Sequence, residues 1–430
     1  MGKEPVRINT EFNAILDLIE NQGEHLFITG RAGTGKSTLL NLVKRTTRKN
    51  AVVLAPTGIA ALHVGGQTIH SFFKLPPKMI DPGEITKRKN HRFYKKVQLL
   101  IIDEISMVRA DLMDCIDMFL RVNKEINRPF GGVQLVVFGD LFQLPPVVSS
   151  TFERQLIKEK YGNPYFFSAQ VFKEIDLRMI ELRTVYRQTE RRFINLLDSI
   201  RLQQLDYDIL EEINSRYSEK IPEDIAITLC STNATVNAIN NEKLKALVSP
   251  LFEYTAKLSG EFNQRLSPAD AHLWLKEGAQ VMFVKNDPEG QFVNGTLGQI
   301  TSLAQDEIIV SILKDGEVKY INVDRVDWEM LRYEIDPENK DKFKTRVTGT
   351  FTQYPLKLAW AITIHKSQGK TFDNIIIDLG KGAFDYGQTY VAMSRCRTME
   401  GITLKKKITP RDIMVDQAVI EYYDYKIRNW

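Results

Sequence analysis

Gly30-Arg31-Ala32-Gly33-Thr34-Gly35-Lys36-Ser37 has the residue types and spacing of a phosphate-binding loop. Three glycines let backbone N–H groups point inward at phosphate oxygens, with Thr34 and Thr38 beside them. Lys36 can reach the β- and γ-phosphates, and Ser37 offers a hydroxyl to Mg²⁺. A glycine turn with a solvated lysine is the plain alternative, and the flanks argue against it. Leu26-Phe27-Ile28 reads as a buried strand and Thr38 to Val43 as a helix, which is the context the motif requires. Further along, the apolar run Leu99 to Ile102 delivers Asp103-Glu104 to a strand edge. Asp103 is suited to hold Mg²⁺ and Glu104 to orient and deprotonate an attacking water; capping of the next helix is the structural alternative. Gln143 follows the run Leu135 to Phe138 and stands where a strand edge can sense a γ-phosphate, with a polar loop residue as the alternative. Together these residues imply nucleoside triphosphate and Mg²⁺ chemistry, with Lys36, Asp103, Glu104 and Gln143 as the acting groups.

The elements that must position them alternate. Thr10 to Asn21 carries apolar residues at Phe12, Ile15, Leu16 and Ile19, the spacing of an amphipathic helix ahead of the first strand. Ala51 to Ala55 is a second strand, ending in Pro56-Thr57-Gly58. Strands alternating with helices predict a parallel α/β sheet, whose ligands gather at the carboxyl ends of the strands. The basic, proline-marked stretch from Leu75 to Lys96 breaks this rhythm and reads as a small insertion. Residues 226–235 restart it with a strand and a polar loop. Between there and Gln353 the character changes to short strands, among them Val281 to Val284 and Ile308 to Leu313, with Lys314-Asp315-Gly316-Glu317 as a hairpin turn.

The bulk properties set outer bounds. A chain of 430 residues suits two to four domains, and a net charge of +4 permits an acidic partner without demanding one. The basic clusters Lys87 to Lys96 and Lys405 to Lys407 read first as solvated surface. Cys115, Cys230 and Cys396 show no metal or disulfide spacing, which suits a reducing interior. Met1 to Pro5 lacks an apolar signal region and no apolar run approaches a membrane span, so a cytoplasmic protein without a membrane partner is expected.

Eight blocks in order carry a resemblance. Gly30 to Thr38, Ala55 to Ala61, Thr68 to Phe72, Asp103 to Ser106 and Gly139 to Pro146 resemble the early motifs of superfamily 1 helicases, subgroup B. Leu182 to Gln188, Ala361 to Thr371 and Tyr390 to Arg395 resemble the later ones. Within that subgroup, Ser106 through Asn127-Arg128-Pro129-Phe130-Gly131-Gly132 resembles the signature of the petite integration frequency (Pif-type) DNA helicases, of the bacterial type. The family's adenine-contacting glutamine is not evident, since Phe12 or Asn13 stands near its position.

The resemblance implies an α/β fold of two RecA-like parallel-sheet domains. Residues 1–73 and 97–185 would form the first, with 74–96 as a small basic insertion and candidate wedge. Residues 186–254 and 351–430 would form the second, with an SH3-like β-barrel at 255–350. It implies Arg187 and Arg395 as arginine fingers and Gly369 among the nucleotide contacts. Tyr186 would stack on adenine, with a core tyrosine as the alternative. Thr57, Thr68, His70, Ser71, Phe72, Asn294, Thr363, His365 and Lys366 would line a DNA path. For the two histidines the alternative is a buried, neutral ring, and for Phe72 the core. The implied activity is ATP-dependent, 5′-to-3′ unwinding of tailed or forked duplex, and of quadruplex DNA, by a nucleoid-associated protein; as isolated the chain is expected to be a monomer. Competing readings are a RecD-like subunit of a recombination complex and a DNA-stimulated ATPase switch that does not unwind alone.

Overall fold

The computed structural model describes residues 10–148, 150–220, 225–264, 267–314 and 316–428; Met1 to Pro5 and Asp315 lie outside them. The first sheet is built from β1 (Leu26–Gly30), β2 (Ala51–Ala55), β3 (Gln67–Thr68), β4 (Leu99–Ile102), β5 (Gln134–Phe138) and β6 (Arg178–Leu182). They lie in the order β3-β2-β4-β5-β1-β6, every pairing parallel. Continuous apolar runs suit strands covered on both faces. In β1 the alternation divides them: Leu26 and Ile28 pack with Phe12, Ile15, Leu39 and Val43 of the helices at Thr10–Asp17 and Lys36–Thr46. Phe27 turns the other way, toward the cluster that includes Met113, Ile116 and Phe119 of the helix Ala110–Lys124. Each such fully buried side chain contributes about 1.5–3 kcal/mol.

The basic insertion is not a free arm. Tyr94 is buried and its hydroxyl donates to the Phe72 carbonyl at 3.1 Å. Lys87 and Lys95 both bond Glu125, and Lys96 pairs with Asp341 at 3.0 Å. Part of its charge is thus spent inside the molecule.

After β7 (Ile227–Cys230) come ten strands of antiparallel structure. They are β8 (Phe252–Thr255), β9 (Lys257–Gly260), β10 (His272–Leu275), β11 (Gln280–Phe283), β12 (Leu297–Leu303), β13 (Ile308–Lys314), β14 (Glu317–Asn322), β15 (Val326–Ile335), β16 (Phe343–Gln353) and β17 (Leu356–Leu358). They form three sheets, β10-β8, β14-β13-β12-β11-β17 and β15-β16-β9. The first two share a core of their own around Leu273, Val281, Phe283, Ile300, Val310 and Leu356. The antiparallel region therefore runs from 252 to 358 rather than 255 to 350, because β8 and β17 are hydrogen-bonded into it. The second parallel sheet closes with β18 (Ala361–Thr363), β19 (Ile375–Asp378) and β20 (Ile402–Leu404), in the order β18-β7-β19-β20.

The long hairpin β15–β16 reaches back to the first sheet. The Val53 N–H donates to the Tyr333 hydroxyl at 3.1 Å, Gln67 Nε2 to the Leu331 carbonyl at 2.6 Å, and Phe93 stacks on Phe343 at 4.6 Å.

Candidate active site

The phosphate loop leaves β1 at the carboxyl edge of the first sheet and enters the helix Lys36–Thr46 through Gly35, at φ 85°. Gly33 is held at φ +84°, and a Cβ there would stand 2.4 Å from Arg187 Cβ, so the loop can approach Arg187 only with glycine at this position. The approach is fixed by the Tyr186 N–H, which donates to the Gly33 carbonyl at 2.9 Å. Lys36 Nζ donates to the carbonyls of Gly30 and Arg31 at 2.6 and 2.8 Å. Burial holds the Lys36 ammonium below its ordinary pKa, against the pull of Asp140 and Glu104.

β4 delivers Asp103 and Glu104 opposite this loop. Burial pushes Asp103 up to about 6, opposed by the Glu104 backbone N–H and Lys36. Burial and the Asp103 charge push Glu104 up to about 7, opposed by Lys36 and Arg395. Glu104 occupies the left-handed region at φ 50°, a conformation that costs of order 1 kcal/mol or more in a non-glycine residue. β5 delivers Asp140 and Gln143, whose Nε2 lies 3.3 Å from Asp140 Oδ2.

Across the cleft stand the arginines. Arg395 follows the buried helix Gln388–Met393 and donates to the Val391 carbonyl at 2.9 Å and to Ser394 Oγ at 2.7 Å. Arg187 donates to the Ser394 carbonyl at 3.1 Å. Burial, and for Arg187 also the charge of Arg395, pulls Arg187 down to about 9, while burial pulls Arg395 down to about 10. Two guanidinium groups that form no salt bridge among the described residues, with the charge of Arg395 weighing on Arg187, form a site that gains from an anion. Gly387 lets the helix come near: at φ 68°, a Cβ there would lie 2.4 Å from the carbonyl oxygens of Phe142 and Gln143.

All thirteen residues expected to handle nucleotide line one cleft of about 1710 Å³: Gly33, Thr34, Gly35, Lys36, Ser37, Thr38, Asp103, Glu104, Gln143, Tyr186, Arg187, Gly369 and Arg395. Of the expected DNA contacts, Thr57, Asn294, His365 and Lys366 line the same cleft. Thr57, Thr68 and Thr363 cap the short helices that follow them, accepting the N–H of Ala60, Ser71 and Lys366. Thr363 is buried, Ser71 exposed, and His70 half-buried with its Nδ1 lacking a hydrogen-bond partner; neither Thr68, His70, Ser71 nor Thr363 lines the cleft. Burial lowers the pKa of both His70 and His365.

Phe72 is a correction. It is 5% exposed and meets Phe73, Tyr94 and Tyr333 edge-on, so it belongs to the core of the first domain rather than to a base-stacking platform.

The structure adds residues that motif reading did not single out. The Tyr390 hydroxyl accepts the Ala32 N–H at 3.1 Å and donates to Asp140 at 3.2 Å, tying the phosphate loop to the helix that precedes Arg395. Asp140 is fully buried against Arg201, and Arg31 pairs with Asp198 at 2.6 Å. Gln368 joins Glu104 and Gln143. On the base side, Phe12 and Tyr186 approach Gly35, their rings 3.4 and 3.5 Å from where a Cβ would stand. Asp140, at the end of a core strand, could have been found from the strand-edge rule; the others act through partners far away in sequence. Among the described residues no group of three or more His, Cys, Asp and Glu could hold a metal, and no helix is long and apolar enough to cross a membrane.

Comparison with known proteins agrees with this geometry. A family model described as PIF1-like helicase matches residues 7–208, and one described as the 2B domain of DNA helicase Pif1 matches residues 263–303. The ATP-dependent DNA helicase Pif1 of Campylobacter jejuni is 32% identical, over 93% of this chain and 94% of its own. The ATP-dependent DNA helicase PIF1 of Xenopus laevis is 32% identical over 97% of this chain, which spans only 64% of that relative's length. The other vertebrate relatives are likewise spanned to less than two-thirds, at 61–65%. Among solved structures, Bacteroides sp Pif1 in complex with ADP-AlF4 matches with a TM-score of 0.90 at 39% identity, covering 99% of this chain and 98% of that one. The Bacteroides Pif1 bound to ssDNA matches with a TM-score of 0.71 at 40% identity, with coverage of 99% and 98%. With most of the ordered motifs contributing to one cleft and 32% identity over nearly the full length of the Campylobacter jejuni relative, this chain belongs to the PIF1-like helicase family.

Proposed function

We propose that this chain is an ATP-hydrolysing DNA helicase that moves 5′ to 3′ along single-stranded DNA and separates the duplex ahead of it. The observation that carries the reading is the single cleft that joins Lys36, Asp103 and Glu104 on one sheet to Arg187, Arg395 and the His365–Lys366 turn beyond it. The names of its relatives, and the ADP-AlF4 and ssDNA complexes of the Bacteroides protein, support it. Its substrates are tailed, forked and quadruplex DNA, and it is a monomer as isolated.

The residues fit a triphosphate. The glycine-lined loop leaves room where a Cβ would intrude, and Lys36 exchanges two backbone carbonyls for phosphate oxygens. Ser37 and Asp103 are hard oxygen donors of the kind that hold Mg²⁺, which would supply charge neutralisation at the phosphates. Phe12 and Tyr186 offer the base an apolar platform in place of the absent glutamine. Glu104 accepts the proton of the attacking water, and Gln143 orients that water. Arg187 and Arg395 stabilise charge on the transferred group, a contribution of about 10³–10⁵ in rate. Because they approach from the far wall, hydrolysis requires the cleft to close, which links chemistry to domain motion.

The strand lies along the outer part of the cleft. Thr57 has already accepted the Ala60 N–H, so its own proton remains for a phosphate oxygen. Lys366 and Asn294 add a cation and an amide. We take the docking of the β15–β16 hairpin on the first sheet as the arrangement that DNA changes.

The test is unwinding of a duplex carrying either a 5′ or a 3′ single-stranded tail, with Lys36→Ala as the control. Separation only from the 5′ tail, lost in Lys36→Ala, is expected. ATP hydrolysis stimulated by DNA without strand separation from either tail would favour the ATPase-switch reading.

A further inference from the structure

Gln368 stands at the junction of two sets of contacts. It follows the short helix Ile364–Ser367, which is capped by Thr363 and carries His365 and Lys366, and its N–H donates to the His365 carbonyl at 3.3 Å. Its side chain crosses to the other wall of the cleft. There Nε2 donates to Glu104 Oε2 at 3.0 Å and to Gln143 Oε1 at 3.1 Å. Both acceptors come from the first sheet, and both are groups the reaction needs aimed at the attacking water. The Glu104 carboxylate turns about flexible side-chain bonds, so its direction depends on what its oxygens bond. With one oxygen anchored by Gln368, the other is free to face the water. Gln143 is oriented in the same way, its oxygen taken by Gln368 and its nitrogen turned toward Asp140.

We propose that Gln368 is a positioning residue that relays occupancy of the DNA path to the hydrolytic pair Glu104–Gln143. The segment 363–368 is short enough that a strand held by His365 and Lys366 cannot shift it without shifting the Gln368 amide. DNA thereby sets the aim of the base without touching it. The inference rests on the reading of the cleft as a DNA-dependent ATPase.

The experiment uses the whole chain. Steady-state ATP hydrolysis is measured with and without an oligothymidine strand for wild type, Gln368→Leu and Gln368→Asn. Affinity for the strand is followed by fluorescence anisotropy, and folding by thermal melting. Loss of one hydrogen bond to a charged group predicts a fall of about 10- to 100-fold in the DNA-stimulated kcat. The KM for ATP and the affinity for DNA should stay within about twofold, and the rate without DNA should fall by a smaller factor than the stimulated rate. Gln368→Asn keeps the amide but withdraws it by one methylene, and should lose stimulation while melting like wild type. The relay is overturned if either folded variant keeps its stimulation, or if the rate falls by the same factor with and without DNA. A wild type that DNA does not stimulate would instead refute the underlying reading of the cleft.

Discussion

Asp103 and Glu104 are neighbouring carboxylates enclosed in one cleft, and in the proposed mechanism each must be ionised to act, one to hold a cation and one to take a proton. Burial pushes them up to about 6 and about 7, so both are protonated before ordinary carboxylates are. The parameter kcat/KM reports groups of the free enzyme, and it should therefore rise with pH through this range and level off above it. Measured across about pH 5.5 to 8.5 at constant ionic strength, a profile flat to the acid end would show that neither group is raised. Arg187 and Arg395 carry the opposite expectation. Replacing either with alanine should lower kcat by about 10³-fold or more while a fluorescent ATP analogue still binds. A rise in KM at unchanged kcat would take that arginine out of the finger role. The residues that share the cleft were legible because their patterns are local: a glycine loop with lysine, or two carboxylates after a strand, declares itself within a few residues. Tyr390 and Gln368 were not singled out because their roles exist only across the cleft. Phe72 was left between a DNA contact and the core because an aromatic beside a motif looks alike whether it faces solvent or the interior.

The elements are held in register by charge buried between them. Asp140 leaves β5 fully buried and bonds Arg201, which ends the helix Arg191–Arg201 and is 2% exposed. Burial alone would weaken the Arg201 guanidinium, but Asp140, Tyr390 and Glu181 outweigh it and raise its pKa. Arg201 also lies over the Phe142 ring at 4.3 Å, so helix and strand end are joined by charge and by packing. Removing one partner of such a pair leaves the other charge buried and uncompensated, at a cost of about 3–5 kcal/mol. Asp140→Ala should thus lower the thermal midpoint by several degrees, whereas exposed Lys87→Ala should leave it nearly unchanged. Equal melting of the two variants would show that the pair is not a structural joint. Strands such as β4 and β5 were readable as apolar runs, since a strand covered on both faces needs little else. The two-residue β3 and the ends of the antiparallel region were not, because what defines them is their pairing partner rather than their own composition.

At the scale of the molecule, the hairpin β15–β16 decides how the antiparallel insertion sits on the first sheet. Its hold consists of separate contacts, among them the Val53 N–H on Tyr333, Gln67 on the Leu331 carbonyl, Asn50 on the Asp341 carbonyl at 2.6 Å, Lys342 on the Arg48 carbonyl at 2.7 Å, the Lys96–Asp341 ion pair, the Phe72–Tyr333 edge contact and the Phe93–Phe343 stack. A neutral hydrogen bond contributes about 1 kcal/mol, so removing one of these contacts shifts the docked state by about fivefold. If DNA binds only when the hairpin has moved, the apparent dissociation constant is the intrinsic one divided by the fraction already undocked. Tyr333→Phe deletes the hydroxyl that receives Val53 and nothing else. It should raise the undocked fraction about fivefold and tighten binding of an oligothymidine strand by up to that factor. Phe343→Ala, which removes the stack on Phe93, should act in the same direction. Anisotropy titrations at one fixed salt concentration, paired with energy transfer between dyes on the hairpin tip and the first domain, measure affinity and docking separately. Undocking without tighter binding would mean that the hairpin leaves the DNA path unaffected, and weaker binding would mean that the docked face itself holds the strand.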